Sequence, residues 1–294
     1  INRGFFFNLV LKMEFIVNFF ENITPVQRTI ILIGGISFFW IIEDSVPLFN
    51  FNYKKWVHAI PNLFFTSTTI LINFFLAFIL IETSDYLIEN NLSLYNYFFD
   101  VPLFFKILIS IMILDLVGAY LAHFVEHKIK PLWMVHLVHH SDHKVDSTTA
   151  NRHHPLESII RFFFTWIGVF ICGVPVAIIL LYQSISVILS QFNHSNIKLP
   201  KNLDRLLSYV IVSPDMHKIH HHYRLPYTDT NYGNIFSIWD RLFGTFSYFD
   251  RSKIKYGIDV FPSERKNSSI YHLLGQPFLP YKKPTYHKKS DQVN

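Results

Sequence analysis

The sequence predicts an all-α integral membrane protein with about four spanning helices, the last a helical hairpin, beneath a cytoplasmic His-rich cap that holds two metal ions. Three observations predict it. Hydrophobic residues make up 50% of the 294, aromatic ones 17% and charged ones only 16%, against roughly a quarter charged in soluble domains. The apolar residues fall into runs of spanning length. Of the 16 histidines, 13 lie between His123 and His222.

A spanning helix needs about 20 mostly apolar residues. The first run, 29–42 with its flanks, follows Pro25, a residue suited to a first helical turn, and stops at Glu43-Asp44. The second, 60–81, is free of charge, and the third, 103–122, is broken only by Lys106 and Asp115. Residues 159–192 are apolar but for Gly173-Val174-Pro175, which predicts a tight hairpin with each arm short for a full crossing. Ahead of these, 5–11 is too short to span and lacks a small-residue cleavage site, so no signal peptide is expected. Residues 1–12 precede Met13-Glu14, itself an ordinary-looking start, so upstream translation or a fragment edge stands as the alternative to a native segment. The expected divisions are an N-terminal segment (1–25), membrane helices (26–122), a His-rich region containing the hairpin (123–250) and a tail (251–294), basic and disordered beyond about Tyr281.

Lysine and arginine set the orientation. Lys54 and Lys55 follow the first run, Lys128, Lys130, Lys144, Arg152 and Arg161 follow the third, and the loop between the second and third has neither residue type. The His clusters are therefore expected on the cytoplasmic side. A formal charge of +5 and a pI near 9.1 fit basic loops against an anionic membrane surface better than nucleic acid. The single cysteine, Cys172, excludes an intramolecular disulfide and a cysteine-based metal site.

His123 and His127 are four apart and share a helix face; His136, His139 and His140 repeat spacings of three and four. His217, His220, His221 and His222 form a third cluster, and His194 closes the hairpin. A lone histidine is ordinarily a surface or satisfied core residue, and a His-rich metal sponge lacks interleaved apolar residues. Three clusters at helical spacing supply more imidazoles than one ion can use, hence a two-metal site. Asp115, eight residues before His123, is expected nearly on the same face, either orienting a ligand imidazole or satisfied by a neighbouring hydroxyl. Imidazole alone does not select iron over copper, nickel or zinc.

The order H-x-x-x-H, H-x-x-H-H, H-x-x-H-H on a hydrophobic chain resembles the fatty acid hydroxylase / sterol desaturase superfamily of integral membrane di-iron oxygenases. Further motifs carry the resemblance across roughly 114–248: W-x-x-x-H-x-x-H-H-S-D from Trp133 to Asp142, T-x-x-R-x-H-P-L-E from Thr149 to Glu157, S-P-x-x-H-x-x-H-H from Ser213 to His221, and N-Y-G-x-x-x-x-x-W-D-R-L-F-G-T from Asn231 to Thr245. The chain departs from the family pattern at Phe124, where Arg is usual, and at His222-Tyr223, where a small hydroxyl residue often follows. The resemblance implies two non-haem irons held by His123, His127, His136, His139, His140, His217, His220 and His221, with His194 a ninth ligand. His154, His143, His222, Asp115 and Glu157 are further metal or supporting candidates, and His153 a weaker one. It also implies O2-dependent hydroxylation or desaturation of an unactivated C–H bond of a fatty acyl or sterol-like lipid. The electrons would come from a separate cytochrome b5-like or ferredoxin-like donor, no fused donor domain being recognisable. Composition suggests a bacterial inner membrane, or the endoplasmic reticulum for a eukaryotic chain. Aromatic residues Trp133, Tyr232 and Trp239 are expected to line a substrate groove or pack at the interface.

Two other classes compete. His123-Glu126-His127 reads H-x-x-E-H, a zinc-peptidase pattern with Glu126 as general base, but it leaves the other clusters unexplained. A metal transporter would place its ligands at mid-membrane, not at helix ends.

Overall fold

The apolar runs become helices because lipid offers backbone groups no partner, so each segment must satisfy its own. A computed structural model describes residues 3–97 and 100–286, with side chains from Leu11 onward. Helices α1 (Arg3–Glu21), α2 (Pro25–Ser45) and α3 (Lys55–Glu89) lead to α4 (Leu103–Asp115), which continues through a π-helical stretch, Leu116–Leu121, into α5 (Ala122–Lys128). Helix α6 (Lys130–His140) precedes the hairpin α7 (Pro155–Cys172) and α8 (Val176–His194). Short helices α9 (Lys201–Leu207), α10 (Pro214–His220), α11 (Ile238–Leu242) and α12 (Ile270–Gly275) build the cap.

Among the described residues five helices are long and apolar enough to cross a membrane: α2, α3 with its continuation to Tyr97, the composite 103–128, α7 and α8. The chain is an integral membrane protein. The hairpin arms, expected to be short, run 18 and 19 residues, about 27–29 Å at 1.5 Å per residue and close to the hydrocarbon thickness of about 30 Å. Each gains length because its helix continues past the apolar run into the polar residues that serve the cap. Helix α3, at 35 residues, outruns its apolar stretch for the same reason.

Thr24 caps α2, accepting from Gln27 N, with Pro25 in the first turn. Gly173 ends α7 with φ +58 in the left-handed region, and a Cβ there would lie 2.6 Å from the Ser93 Cα, so the turn excludes a side chain. The membrane core gathers Leu80, Ile107, Ile111, Leu114, Val169 and Ile178 from four helices. Met13 and Val17 of α1 pack against it, so this part of the N-terminal segment belongs to the fold.

The segment expected as a tail from residue 251 packs on the cap instead. Ile254 and Tyr256 join Val145 and Ile219, Ile258 and Val260 join Trp133 and Leu137, and Leu273 joins Phe65 and Val138. Ordering reaches past Tyr281, since Leu225 N donates to the Thr285 carbonyl; 287–294 of the expected disordered tail lie outside the described residues.

Candidate metal centre

All five membrane helices bring one end to the cap. Glu43 near the end of α2 accepts from Ser147 N at 2.7 Å and Asn196 N at 2.9 Å. His58 near the start of α3 lies 2.9 Å from Asp142 Oδ1 and 3.1 Å from Asp146 Oδ2. The other three ends carry His123 and His127, Glu157, and His194.

Nine buried or nearly buried histidines converge in two groups: His123, His127, His136, His140 and His220 in one, His139, His194, His217 and His221 in the other, with nitrogens within 4.8 Å inside each group. The spacing of α6 divides them, since His136 and His140 turn to the first group and His139 to the second. Helix α10 divides likewise, with His220 in the first and His217 in the second, joined by His221 just beyond its end. The groups adjoin, for the rings of His140 and His221 stack at 4.7 Å.

Protons cannot account for the close nitrogen contacts. His123 Nδ1 is 2.8 Å from the Tyr232 carbonyl and His136 Nδ1 2.7 Å from Glu157 Oε1. Each Nδ1 therefore donates, and a neutral ring leaves Nε2 a bare lone pair. Those two Nε2 atoms nevertheless face each other at 3.1 Å. In the second group, His194 Nδ1 donates to the Ser190 carbonyl at 2.7 Å, and its Nε2 stands 3.0–3.1 Å from the Nε2 of His139, His217 and His221. Nitrogens about 2.1 Å from one ion and at right angles lie about 3.0 Å apart. The donor set thus fits a cation in each group. His220 Nδ1 donates to the Thr230 carbonyl at 2.7 Å, and its buried Nε2 has no protein partner among the described residues; nor has His127 Nε2.

Burial keeps these imidazoles neutral, as ligands must be. It pushes His136 down to about 4 against the pull of Glu157, and puts His139, His140, His217, His220 and His221 well below the usual range, helped by neighbouring imidazoles. Lys218, buried between the α10 histidines, is lowered to about 8 by burial.

Glu157 lies behind the first group. Its Oε1 accepts from His136 Nδ1, from His153 Nδ1 at 2.6 Å and from Arg161 Nε at 3.0 Å. The His153 ring stacks on His139 at 4.8 Å and 11°. Arg161 Nη2 also donates to Glu126 Oε2 at 2.7 Å, so the Glu126 of the peptidase-like pattern is tied to an arginine.

The other expected candidates sit elsewhere. Asp115 does not reach a ligand. It accepts from Ile235 N and Phe236 N at 3.1 Å and from Trp239 Nε1 at 2.9 Å, since eight residues of helix set it roughly 10 Å along the axis from His123, beyond the reach of a ligand imidazole. His154 caps α7, accepting from Leu156 N and facing the Leu274 carbonyl. His143 borders a polar cleft of about 320 Å³ with Tyr53, His58 and Asp142. His222 Nδ1 accepts from Lys255 N at 3.2 Å, so of the run His220–His222 only the first two enter the groups. Trp133, Tyr232 and Trp239 are buried packing residues.

Sequence reasoning missed the bracket around α6. Buried Arg152 donates to the Val138 and Asn267 carbonyls, Asn62 Oδ1 and Ser141 Oγ. Burial would raise the Asp142 carboxyl, yet His58 and Arg152 beside it hold it well below the carboxylate range. One signal was visible in Asn62, an amide near the start of the second apolar run.

Residues 107–245 match the sequence profile of a family described as fatty acid hydroxylase. Among curated relatives, an ornithine lipid hydroxylase of Rhizobium tropici is 28% identical over 146 residues, covering 49% of this chain and 43% of that protein. Alkylglycerol monooxygenase of Xenopus tropicalis is 31% identical over 142 residues, 48% of this chain and 30% of the relative. The human alkylglycerol monooxygenase is 25% identical over 203 residues, 68% and 40%. The chain thus spans less than half the length of these relatives. No solved structure matches.

Proposed function

We propose that this chain, which belongs to the fatty acid hydroxylase family through residues 107–245, is an O2-dependent oxidoreductase that hydroxylates, rather than desaturates, the hydrocarbon chain of a membrane lipid. The observation that carries the reading is the convergence of imidazole Nε2 atoms at 3.0–3.1 Å, bare on both sides for His123 and His136, in two adjoining His groups at the ends of membrane helices. The relatives' names point to a lipid with a polar headgroup, such as an ornithine lipid or an alkylglycerol.

His123, His127, His136, His140 and His220 would hold one iron and His139, His194, His217 and His221 the other. Bound there, two irons would supply reductive O2 activation, one oxygen atom entering the C–H bond and the other leaving as water, with two electrons from a separate protein donor and two protons. The chain's own task is positioning. Tyr232, Thr230 and Ser190 carbonyls and the Glu157 carboxylate fix the ring orientations. Burial keeps the rings neutral and the surroundings dry, so a reactive centre is shielded from water. Lysines and arginines on the cap side support a cytoplasmic cap.

The test is metal content and O2 uptake in protein purified from iron-supplemented cells, with a reductant and extracted lipids screened by mass spectrometry for a gain of one oxygen. About two irons per chain, both lost in a His139→Ala, His220→Ala double variant, together with a hydroxylated lipid, is the expected result. A single zinc surviving that variant, with activity abolished by Glu126→Gln, would instead establish hydrolysis.

A further inference from the structure

We propose that residues 203–210 and 235–243 form a re-entrant shoulder, immersed in the membrane without crossing it, whose outer face packs against acyl chains of the leaflet on the metal side. The inference rests on the spanning assignment of residues 103–128.

Asp115 fixes the depth. It is fully buried within that span, and its carboxylate accepts from Ile235 N, Phe236 N and Trp239 Nε1. Eight residues separate Asp115 from His123, so the 235–239 loop sits roughly 10 Å deeper along the helix than the first ligand. At this depth the shoulder turns large apolar side chains outward: Leu206, Tyr209, Val210, Ile238, Leu242 and Phe243 are all exposed, Leu242 at 67%.

Irregular backbone is tolerated at membrane depth only where its polar groups are satisfied inside the protein. Here they are paired. Val212 N donates to the Ile235 carbonyl and Ser237 N to the Val210 carbonyl. The Ser208 carbonyl accepts from Ser237 Oγ and Arg241 Nη2, while Asp240 accepts from Tyr232 N and Gly233 N. Gly233 permits this fold-back, since a Cβ there would stand 2.8 Å from Asp240 Oδ2. The Arg241 guanidinium carbon lies 3.7 Å from the centre of the Phe246 ring and 5.2 Å from that of Tyr209, covering its charge with rings. Lys201 and Arg205 stand exposed on α9, suited to anionic headgroups.

The inner side of the same loop serves the metal groups, through the Tyr232 carbonyl to His123 and the Thr230 carbonyl to His220. Ring contacts run from exposed Phe243 to Tyr120 at 5.3 Å, to Tyr232 at 6.2 Å and to His123 at 5.6 Å. Two rings, Tyr120 and Tyr232, separate the outward-facing Phe243 from a ligand imidazole.

The test uses the full chain in phospholipid vesicles. Cys172→Ala removes the single cysteine, and Leu242→Cys, Val210→Cys, Phe74→Cys and Arg265→Cys are then labelled one at a time with an environment-sensitive fluorophore. Phe74, exposed in α3, is the lipid reference and Arg265, exposed on the cap, the water reference. Labels at 242 and 210 are expected to shift to the blue and be quenched by bromolipids at least half as strongly as the label at 74, with iodide quenching only the label at 265. Iodide quenching at 242 and 210 equal to that at 265 would overturn the shoulder. Failure of the label at 74 to respond to bromolipids would instead overturn the spanning assignment. Metal content matching the parent shows each variant is folded.

Discussion

Replacing Glu157 with alanine should weaken one metal site and spare the other. Glu157 Oε1 holds His136 Nδ1 at 2.7 Å, and His136 belongs to the five-histidine group alone. Without that acceptor the His136 ring can rotate or exchange tautomers, and losing such an outer partner costs about 10–100-fold in metal affinity, or about 1.4–2.8 kcal/mol. No second-group histidine bonds Glu157; the link runs through His153, stacked on His139, so the second site should change by no more than about threefold. Glu157→Gln keeps an accepting oxygen and should lose less than the alanine variant. The assay is equilibrium dialysis of purified protein against graded chelator, with metal counted per chain. A plateau at one metal over a one- to two-decade window of chelator is expected for Glu157→Ala. Parallel loss of both metals would refute the five-and-four partition, and a glutamine variant as damaged as alanine would make Glu157 a ligand itself.

Arg152→Met leaves the Val138 and Asn267 carbonyls and Asn62 Oδ1 without their buried donor; breaking such a charged network costs about 3–5 kcal/mol, and a thermal midpoint within a degree or two of the parent would refute its bracing role. Gly173→Ala should destabilise by about 2 kcal/mol or more, since φ is +58 and the new Cβ would meet the Ser93 backbone, whereas Gly34→Ala, with nothing within 4 Å, should be neutral or slightly stabilising in the same assay. Stability should fall with acid. His136 is lowered to about 4 in the folded protein, so between the free-imidazole value near 6.5 and about 4 the unfolded chain binds the extra proton and gains as pH drops. Unfolding of metal-free protein followed from about pH 6.5 to 4 should show a decline in stability across that window; a flat profile there would refute the neutral-imidazole assignment.

The sequence by itself determined what lipid and metal impose locally. Apolar runs long enough to cross had to become helices, because hydrocarbon leaves backbone groups no other partner, and this was legible down to Pro25 as the first residue of α2, although the helix runs on through Glu43-Asp44 to Ser45. Imidazoles spaced three and four apart had to share helix faces, so the clusters at 123–127, 136–140 and 217–221 could be marked in advance as places where rings converge, whereas His194, with no partner at that spacing, was named as a ligand only through the resemblance. The tertiary structure decided everything that depends on how helices meet. Whether His139 joins His136 or His194 follows from which chain segments meet at the cap, where the His139 ring lies against those of His194 and His221, since the local spacing is compatible with either. Asp115 found its partners at 235–239 and Arg152 found Asn62 and Asn267, contacts separated by 90 residues or more in sequence, with no periodicity to announce them. Side-chain type and spacing encode a local demand, whereas the partner that answers it across the fold is chosen by packing, and packing is a property of the whole chain at once.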